Sequence, residues 1–384
     1  MRGSLLLHTA FRALLGLWVA LHMGGCGGGQ VADAIDPDSP AGMEIDCERG
    51  IARICGQLAE MYESGRGVAP DVARAAQLYD QGCSGGDPSS CGNLGHMVQH
   101  GMGGKRVDLP RAAVLLGGAC AGGHSPSCTR AAILLEKGGG GVAKDESRAL
   151  QLYQAACNEK DQRACTNLGL ILMEGRLVNQ DNKRAMMLFS HACDLEYGPG
   201  CSSLGSMFEQ GRACEKSPTT AIKYYTKACG LGAGSGCLLI GLATDRGLGI
   251  RADPSRAAGF YVKACQLGHS VACNFAANAY EQGRGVLASS PKALELYQQA
   301  CDLGHGLSCR SAAEYYEQGR ALPRENAALY FERACNAGET MSCVHLARAL
   351  DRGEGAVQDR ARAQMLYKRG CDGGDKLACQ EVKP

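Results

Sequence analysis

From residue 47 to the end, apolar and polar positions follow one pattern over and over. One segment of each unit places apolar or small residues at helical spacing and stops at a glycine, as in "GQLAEMYESG" (56–65), "TNLGLILMEG" (166–175) and "NFAANAYEQG" (274–283). This segment is helix A. The glycine recurs without exception as Gly65, Gly101, Gly138, Gly175, Gly211, Gly247, Gly283, Gly319 and Gly353. Glycine enters the left-handed conformation freely, so the row reads as a helix C-terminal stop. A second segment carries Ala75, Ala112, Ala149, Ala185, Ala221, Ala257, Ala293, Ala327 and Ala363, each followed four residues on by an aromatic or leucine. That second row is Tyr79, Leu116, Tyr153, Phe189, Tyr225, Tyr261, Tyr297, Phe331 and Tyr367. The spacing puts both rows on one face of a helix, helix B, with the alanine at a close helix–helix approach. Four residues before each alanine stand Asp71, Asp108, Asp145, Asp181, Ser217, Asp253, Ser289, Pro323 and Asp359. Eight of these nine are good N-caps.

Cysteines punctuate the units. Ten pairs share a separation of eight: Cys47 with Cys55, Cys83 with Cys91, Cys120 with Cys128, Cys157 with Cys165, Cys193 with Cys201, Cys229 with Cys237, Cys265 with Cys273, Cys301 with Cys309, Cys335 with Cys343 and Cys371 with Cys379. First cysteines lie 36, 37, 37, 36, 36, 36, 36, 34 and 36 apart, the period of a helical-hairpin solenoid. Each pair straddles the passage from helix B to the next helix A. A continuous helix would hold the two Cα atoms about 12 Å apart. A tight turn, favoured by glycines and by Pro88, Pro126 and Pro199, brings them within disulfide reach.

Three readings of the pairs compete. Zinc ligands usually stand two to four residues apart, and here seven intervene. Redox centres favour Cys-x-x-Cys. A structural staple at each corner fits best, and ten local pairings are simpler than any scrambled set, although spacing alone does not establish connectivity. A staple closing so short a loop contributes about 2.5 kcal/mol on the chain-entropy view. Two cysteines of the 22 remain, Cys26 and Cys214.

So many cysteines point to an oxidising compartment. The N-terminus agrees: "MRGSLLLHTAFRALLGLWVALHMGGC" has Arg2 and Arg12, an apolar stretch and two glycines before Cys26. It resembles a bacterial lipoprotein signal, with Met23 departing from the usual aliphatic residue. Residues 1–25 are expected to be a signal peptide, Cys26 the lipidated mature terminus, 26–44 a flexible tether and 45–384 the solenoid. Forty basic and 39 acidic side chains give +1, which argues against a nucleic-acid partner.

"CGQLAEMYESGRGVAPDVARAAQLYDQGC" resembles a Sel-one-like repeat, a relative of the tetratricopeptide repeat, and the resemblance runs from 47 to 379. With the cysteine spacing it resembles the Helicobacter cysteine-rich protein family. That resemblance implies an all-α, right-handed α-solenoid of about nine helix-turn-helix repeats with a disulfide per repeat, in the periplasm or at the cell surface. It also implies a rival function, because some members are described as penicillin-binding or slow β-lactam-hydrolysing proteins.

Candidate chemistry is sparse. Ser289-Ser290-Pro291-Lys292 has the serine–lysine spacing of penicillin-binding enzymes, but Ser289 holds the N-cap register and the companion elements are missing from the chain. Gly82-Cys83-Ser84-Gly85-Gly86 spells a nucleophile elbow in the wrong setting, a helix–helix turn. His124, His269 and His305 share one turn position and read as caps or solvated groups; His96 and His100 are one turn apart without an evident third ligand. No metal and no cofactor are expected. An acidic row, Glu63, Glu136, Glu209, Asp245, Glu281, Glu317 and Asp351, reads as a solvated helix face.

The variable positions say more. Two residues after each second cysteine stand Gln57, Asn93, Arg130, Asn167, Ser203, Leu239, Phe275, Ser311 and His345. Helix A lines the inner curve of tetratricopeptide-type solenoids, so this row is a candidate ligand groove. The expected function is an extracytoplasmic scaffold binding a protein or peptide there, tethered to the outer membrane only through lipid.

Overall fold

The structure, a computed structural model, describes residues 36–321, 323 and 325–382; the expected signal peptide and Cys26 lie outside the described residues. Among the described residues there are twenty helices and no strand. Nine A helices, from Ala52–Ser64 to Thr340–Arg352, alternate with nine B helices, from Val72–Ser84 to Arg360–Asp372. An extra B-like helix, Pro40–Glu48, precedes them and a short A-like helix, Lys376–Glu381, follows. The fold is an all-α, disulfide-stapled solenoid.

Local sequence accounts for the boundaries. Every one of the eight Asp or Ser caps on the B helices accepts a backbone N–H three residues on, from Asp71–Arg74 at 2.9 Å to Ser289–Lys292 at 3.3 Å. Pro323 does not cap; the eighth B helix starts late, at Asn326, behind Glu325. This is where the repeat is two residues short. All nine stop glycines have positive φ, between 63° and 73°. The folded part also begins earlier than expected. Ser39 accepts the N–H of Gly42 at 3.1 Å, Pro40 opens the helix, and Met43 is buried, so residues 40–44 belong to the solenoid and not to a tether.

At each corner helix B turns through a residue in the left-handed region, and the turn folds the start of the next A helix back onto the end of B. Glycine holds that turn in most copies; Lys160 (φ 64°) and Glu196 (φ 61°) hold it in two. The sulfurs of all ten pairs stand at disulfide distance. Cys47 meets Cys55, Cys83 meets Cys91, Cys120 meets Cys128, Cys157 meets Cys165 and Cys193 meets Cys201. In the second half Cys229 meets Cys237, Cys265 meets Cys273, Cys301 meets Cys309, Cys335 meets Cys343 and Cys371 meets Cys379. Their Cα atoms are 4.4–4.7 Å apart, where an unbroken helix would hold them far out of reach. The second cysteines sit deepest: Cys165, Cys201, Cys237 and Cys273 are fully buried, and Cys309 and Cys343 nearly so. Cys128 is buried as well, whereas Cys379, in the last described helix, is exposed.

The hairpins close around the alanine and aromatic rows, nearly all of them fully buried. Each aromatic ring lies against a small residue four positions after the second cysteine. A Cβ added at Gly169, Gly205 or Gly241 would stand 2.5–2.7 Å from the rings of Phe189, Tyr225 or Tyr261. Successive A helices pack on one another, with Ser202 and Ser235 hydroxyls 3.0 Å apart and Ser308 donating to Asn274 at 3.0 Å. Successive B helices meet instead through long side chains, such as Arg74 to Glu44, Arg362 to Glu332 and, at 2.8 Å, Arg184 to Gln154. Close packing on the A side and long bridges on the B side fit the expectation that helix A lines the inner curve.

Candidate ligand groove on the inner face

The row of variable residues falls in one register of the A helices. Gln57 is exposed; Asn93, Arg130, Asn167, Ser203, Ser311 and His345 are half-buried, as are Leu239 and Phe275. They form a line, one per repeat, rather than converging on a point. Two of them share a cavity of about 260 Å³: Gln57 and Asn93, with Arg53, Glu60, Tyr79 and Ser89 around them. His345 borders one of about 530 Å³ with Glu317, Phe331, Arg348 and Arg352. Its ring stacks on Phe331 at 4.7 Å, and Nδ1 lies 3.6 Å from the Glu317 carboxylate.

Four members of the acidic row do more than face solvent, although Glu63 and Glu317 are exposed. Tyr79, Tyr153, Tyr225 and Tyr297 each donate their hydroxyl to Glu63, Glu136, Glu209 and Glu281 of the same hairpin, at 2.7–2.8 Å. Geometry explains this. The small residue under the ring and the acid lie four apart on helix A, so a ring on the first aims its hydroxyl at the second. Burial, followed by the hydrogen bond to its glutamate, raises the pKa of Tyr79, Tyr153 and Tyr297, so these phenols keep their protons and donate. The sequence carries a signal of this as a co-variation: where the ring is Leu116 or Phe189, the acid is gone and Gln99 or Met173 stands there. The exception is the short repeat, where Phe331 faces Glu317 and His345 partners the acid instead.

Arginines from the following repeat complete some of these nodes. Arg176 donates to Glu136 at 2.9 Å, Arg320 to Glu281 at 2.9 Å, and Arg284 pairs with Asp245 at 3.1 Å. The Glu281 node is the fullest. Tyr315, from the next A helix, donates to the Glu281 carboxylate at 2.9 Å, and the Arg320 guanidinium covers the Tyr315 ring at 3.7 Å. The Asp245 node has an arginine but no such tyrosine bond. Tyr261 is 4% exposed, and its hydroxyl lies close to the Asp245 carboxylate without completing a well-formed hydrogen bond, beside a cavity of about 260 Å³. Burial first, then the Asp245 charge, push Tyr261 up to about 12, which keeps it a proton donor.

The other candidate residues serve the frame. The Ser289 hydroxyl accepts the Lys292 N–H at 3.3 Å, and Lys292 Nζ turns away to Glu295 at 2.7 Å. Ser84 ends a B helix, and its neighbour Cys83 pairs with Cys91. The three turn histidines differ. Nδ1 of His305 and of His124 each meet the hydroxyl of the serine three residues on, Ser308 at 2.8 Å and Ser127 at 2.7 Å, and His305 also accepts the Ser308 N–H at 3.3 Å; Nδ1 of His269 has no partner, because Ala272 replaces the serine. The His96 and His100 rings touch edge to face at 4.7 Å, and burial, with Arg130 and His100 alongside, holds His96 below the usual imidazole range. Among the described residues no three His, Cys, Asp or Glu side chains are placed to hold a metal. Cys214 sits half-buried at the loop position taken by Val68, Val178, Ile250 and Val286 elsewhere, and its thiol donates weakly to the Met207 carbonyl at 3.7 Å. It fills the place of a small hydrophobe.

No curated protein is significantly similar to the chain. Of solved structures, a protective antigen of uropathogenic Escherichia coli displaying an SLR fold is 19% identical, covers 90% of this chain and 81% of its own, and superposes with a TM-score of 0.54. That likeness shows the fold. A Sel1 repeat protein from Oxalobacter formigenes (21% identity, 64% of this chain and 96% of its own, TM-score 0.49) and Helicobacter pylori cysteine rich protein B (27% identity, 34% and 94%, TM-score 0.28) are also similar. The Sel1 repeat family matches nine consecutive stretches, residues 55–87, 88–124, 125–161, 162–197, 199–232, 235–269, 270–305, 307–339 and 340–375. The chain belongs to the Sel1 repeat family.

Proposed function

We propose that this protein is an extracytoplasmic scaffold that binds a protein or peptide along the inner face of its A helices, with its ten cysteine pairs oxidised and Cys26 carrying a lipid anchor to the outer membrane. The carrying observation is a contrast between rows. Cap, alanine, aromatic and stop-glycine positions barely change from repeat to repeat, whereas the row from Gln57 to His345 changes at nearly every step while keeping one register. Packing demands constancy; a surface read by a partner carries variety. Repeat solenoids offer such extended concave surfaces for binding. The cysteine content supports an oxidising compartment.

The test is affinity capture from bacterial envelope extract with the disulfide-intact protein, repeated with N93R, N167R and S203R together. The reading expects a defined partner that is lost at least tenfold with the inner-face variant and retained by an outer-face variant, R184E. Capture that ignores the inner face, or β-lactam hydrolysis that co-purifies with the wild-type protein, would overturn it.

A further inference from the structure

The junctions of repeats 6–7 and 7–8 are built on one plan, and the first lacks two pieces that the second has. At 7–8 the node is Glu281, Tyr297, Arg320 and Tyr315. At 6–7 the equivalent positions hold Asp245, Tyr261, Arg284 and Ala279. The carboxylate is one methylene shorter, and alanine stands at the position where the next junction alone carries a tyrosine ring and hydroxyl. Phe275 supplies a ring against Tyr261, at 5.2 Å, but no hydroxyl. What remains is the cavity of about 260 Å³, lined by Asp245, Ala279, Phe275, Asn278 and Arg284, with the Tyr261 hydroxyl, short of a well-formed bond, beside it. A cavity of about 150 Å³ is enough to hold a benzene ring.

We infer that this cavity is a subsite for a phenolic side chain, a tyrosine of the bound partner, which takes the place Tyr315 fills at the next junction. A hydroxyl both donates and accepts, so one phenol oxygen satisfies both polar groups: it accepts from Tyr261 and donates to Asp245. Arg284, paired with Asp245 at 3.1 Å, covers the guest ring as Arg320 covers Tyr315 at 3.7 Å. The charges of Asp245 and Arg284 cancel, which suits a neutral guest. A carboxylate would face Asp245, and an ammonium would face Arg284. The inference rests on the groove reading above and names one side chain of the partner.

The test uses the full protein with ring-carbon-labelled tyrosines, the Tyr261 resonance being assigned with Y261F. N-acetyltyrosine methylamide is titrated in, with the phenylalanine and glutamine analogues as controls. The tyrosine analogue is expected to shift Tyr261 saturably and to bind at least tenfold more tightly than either control. Two variants fill the site from within: A279Y supplies the ring of the next junction, and D245E lets the carboxylate reach Tyr261. Either is expected to weaken the analogue at least tenfold while thermal unfolding shows an intact fold; should A279Y overpack against Phe275, D245E decides. Equal binding of the phenylalanine analogue, no shift with any probe, or unchanged binding to a folded D245E overturns the inference. Partner capture that survives D245E, while N93R/N167R/S203R abolishes it, leaves the groove reading standing and removes only this subsite.

Discussion

Tyr297 donates its phenolic proton to one oxygen of Glu281 at 2.8 Å, and Tyr315 of the next repeat donates to the other at 2.9 Å. One carboxylate thus ties helix B to helix A within a repeat and that repeat to its successor. The tie is polar, yet it sits at the rim of an apolar hairpin, where each bond is shielded and directional.

The tyrosine–acid pair should behave as a unit. Tyr225 and Glu209 meet at 2.7 Å, while repeat 4 has Phe189 and Met173 in their places. Y225F and E209M should each cost about 1 kcal/mol in denaturant unfolding. The double variant should cost less than their sum by at least about 0.5 kcal/mol. Strict additivity would mean the bond contributes nothing.

Backbone strain offers a gain. Ala213 has φ 63°, where Gly67, Gly249 and Gly285 serve in other repeats, and Lys160 has φ 64° at a corner that is glycine in most copies. A non-glycine residue there costs about 1–2 kcal/mol, partly offset by the flexibility glycine brings to the unfolded chain. A213G and K160G should each raise stability by about 0.5–1 kcal/mol. A fall in the unfolding midpoint would contradict the strained geometry.

Acid should loosen the protein in two stages. Burial lowers His96, His124, His269 and His305 from 6.5, so the unfolded chain takes up protons first and stability declines as pH falls below that value. Burial opposes ionisation of Glu281, but the bonds from Tyr297, Arg320 and Tyr315 outweigh it and hold its pKa below 4.5. Its contribution is therefore complete above pH 4.5 and lost as pH falls through the lowered value. Chemical unfolding across about pH 3–7 should show both stages, and E281Q should flatten the lower one. A stability that rises on acidification would contradict these assignments.

Removing one staple should act locally. Replacing Cys193 and Cys201 together by alanine should cost about 2.5 kcal/mol by opening a short loop. Hydrogen exchange should rise first in the flanking helices Asn182–Asp194 and Gly198–Gln210, because each repeat leans mainly on its neighbours. Uniform deprotection of the whole chain would instead mean one cooperative block.

Much of the fold is legible in the sequence because it is local. Asp71, Gly65 and the Cys47–Cys55 spacing each act within a few residues, and nine internal copies make each rule visible. The tyrosine–acid tie escapes such a reading because Glu281 and Tyr297 belong to different helices; taken alone, a glutamate near a helix end looks solvated. Only the joint loss at Leu116 with Gln99 and at Phe189 with Met173 marks the pairing. The cavity at Tyr261 lies beyond the sequence, since it depends on how far Asp245 extends and on which ring Ala279 omits. The early start at Pro40 is masked because glycine, aspartate and proline just before it read as a linker.

Non-reducing peptide mapping of natively isolated protein tests the stapled corners most directly. Alkylation under denaturing conditions should label Cys214 alone among residues 47–379, with the other twenty cysteines, from Cys47 with Cys55 to Cys371 with Cys379, recovered as ten neighbour-linked peptides. Labelling of those twenty, or links that join one corner to another, would contradict it.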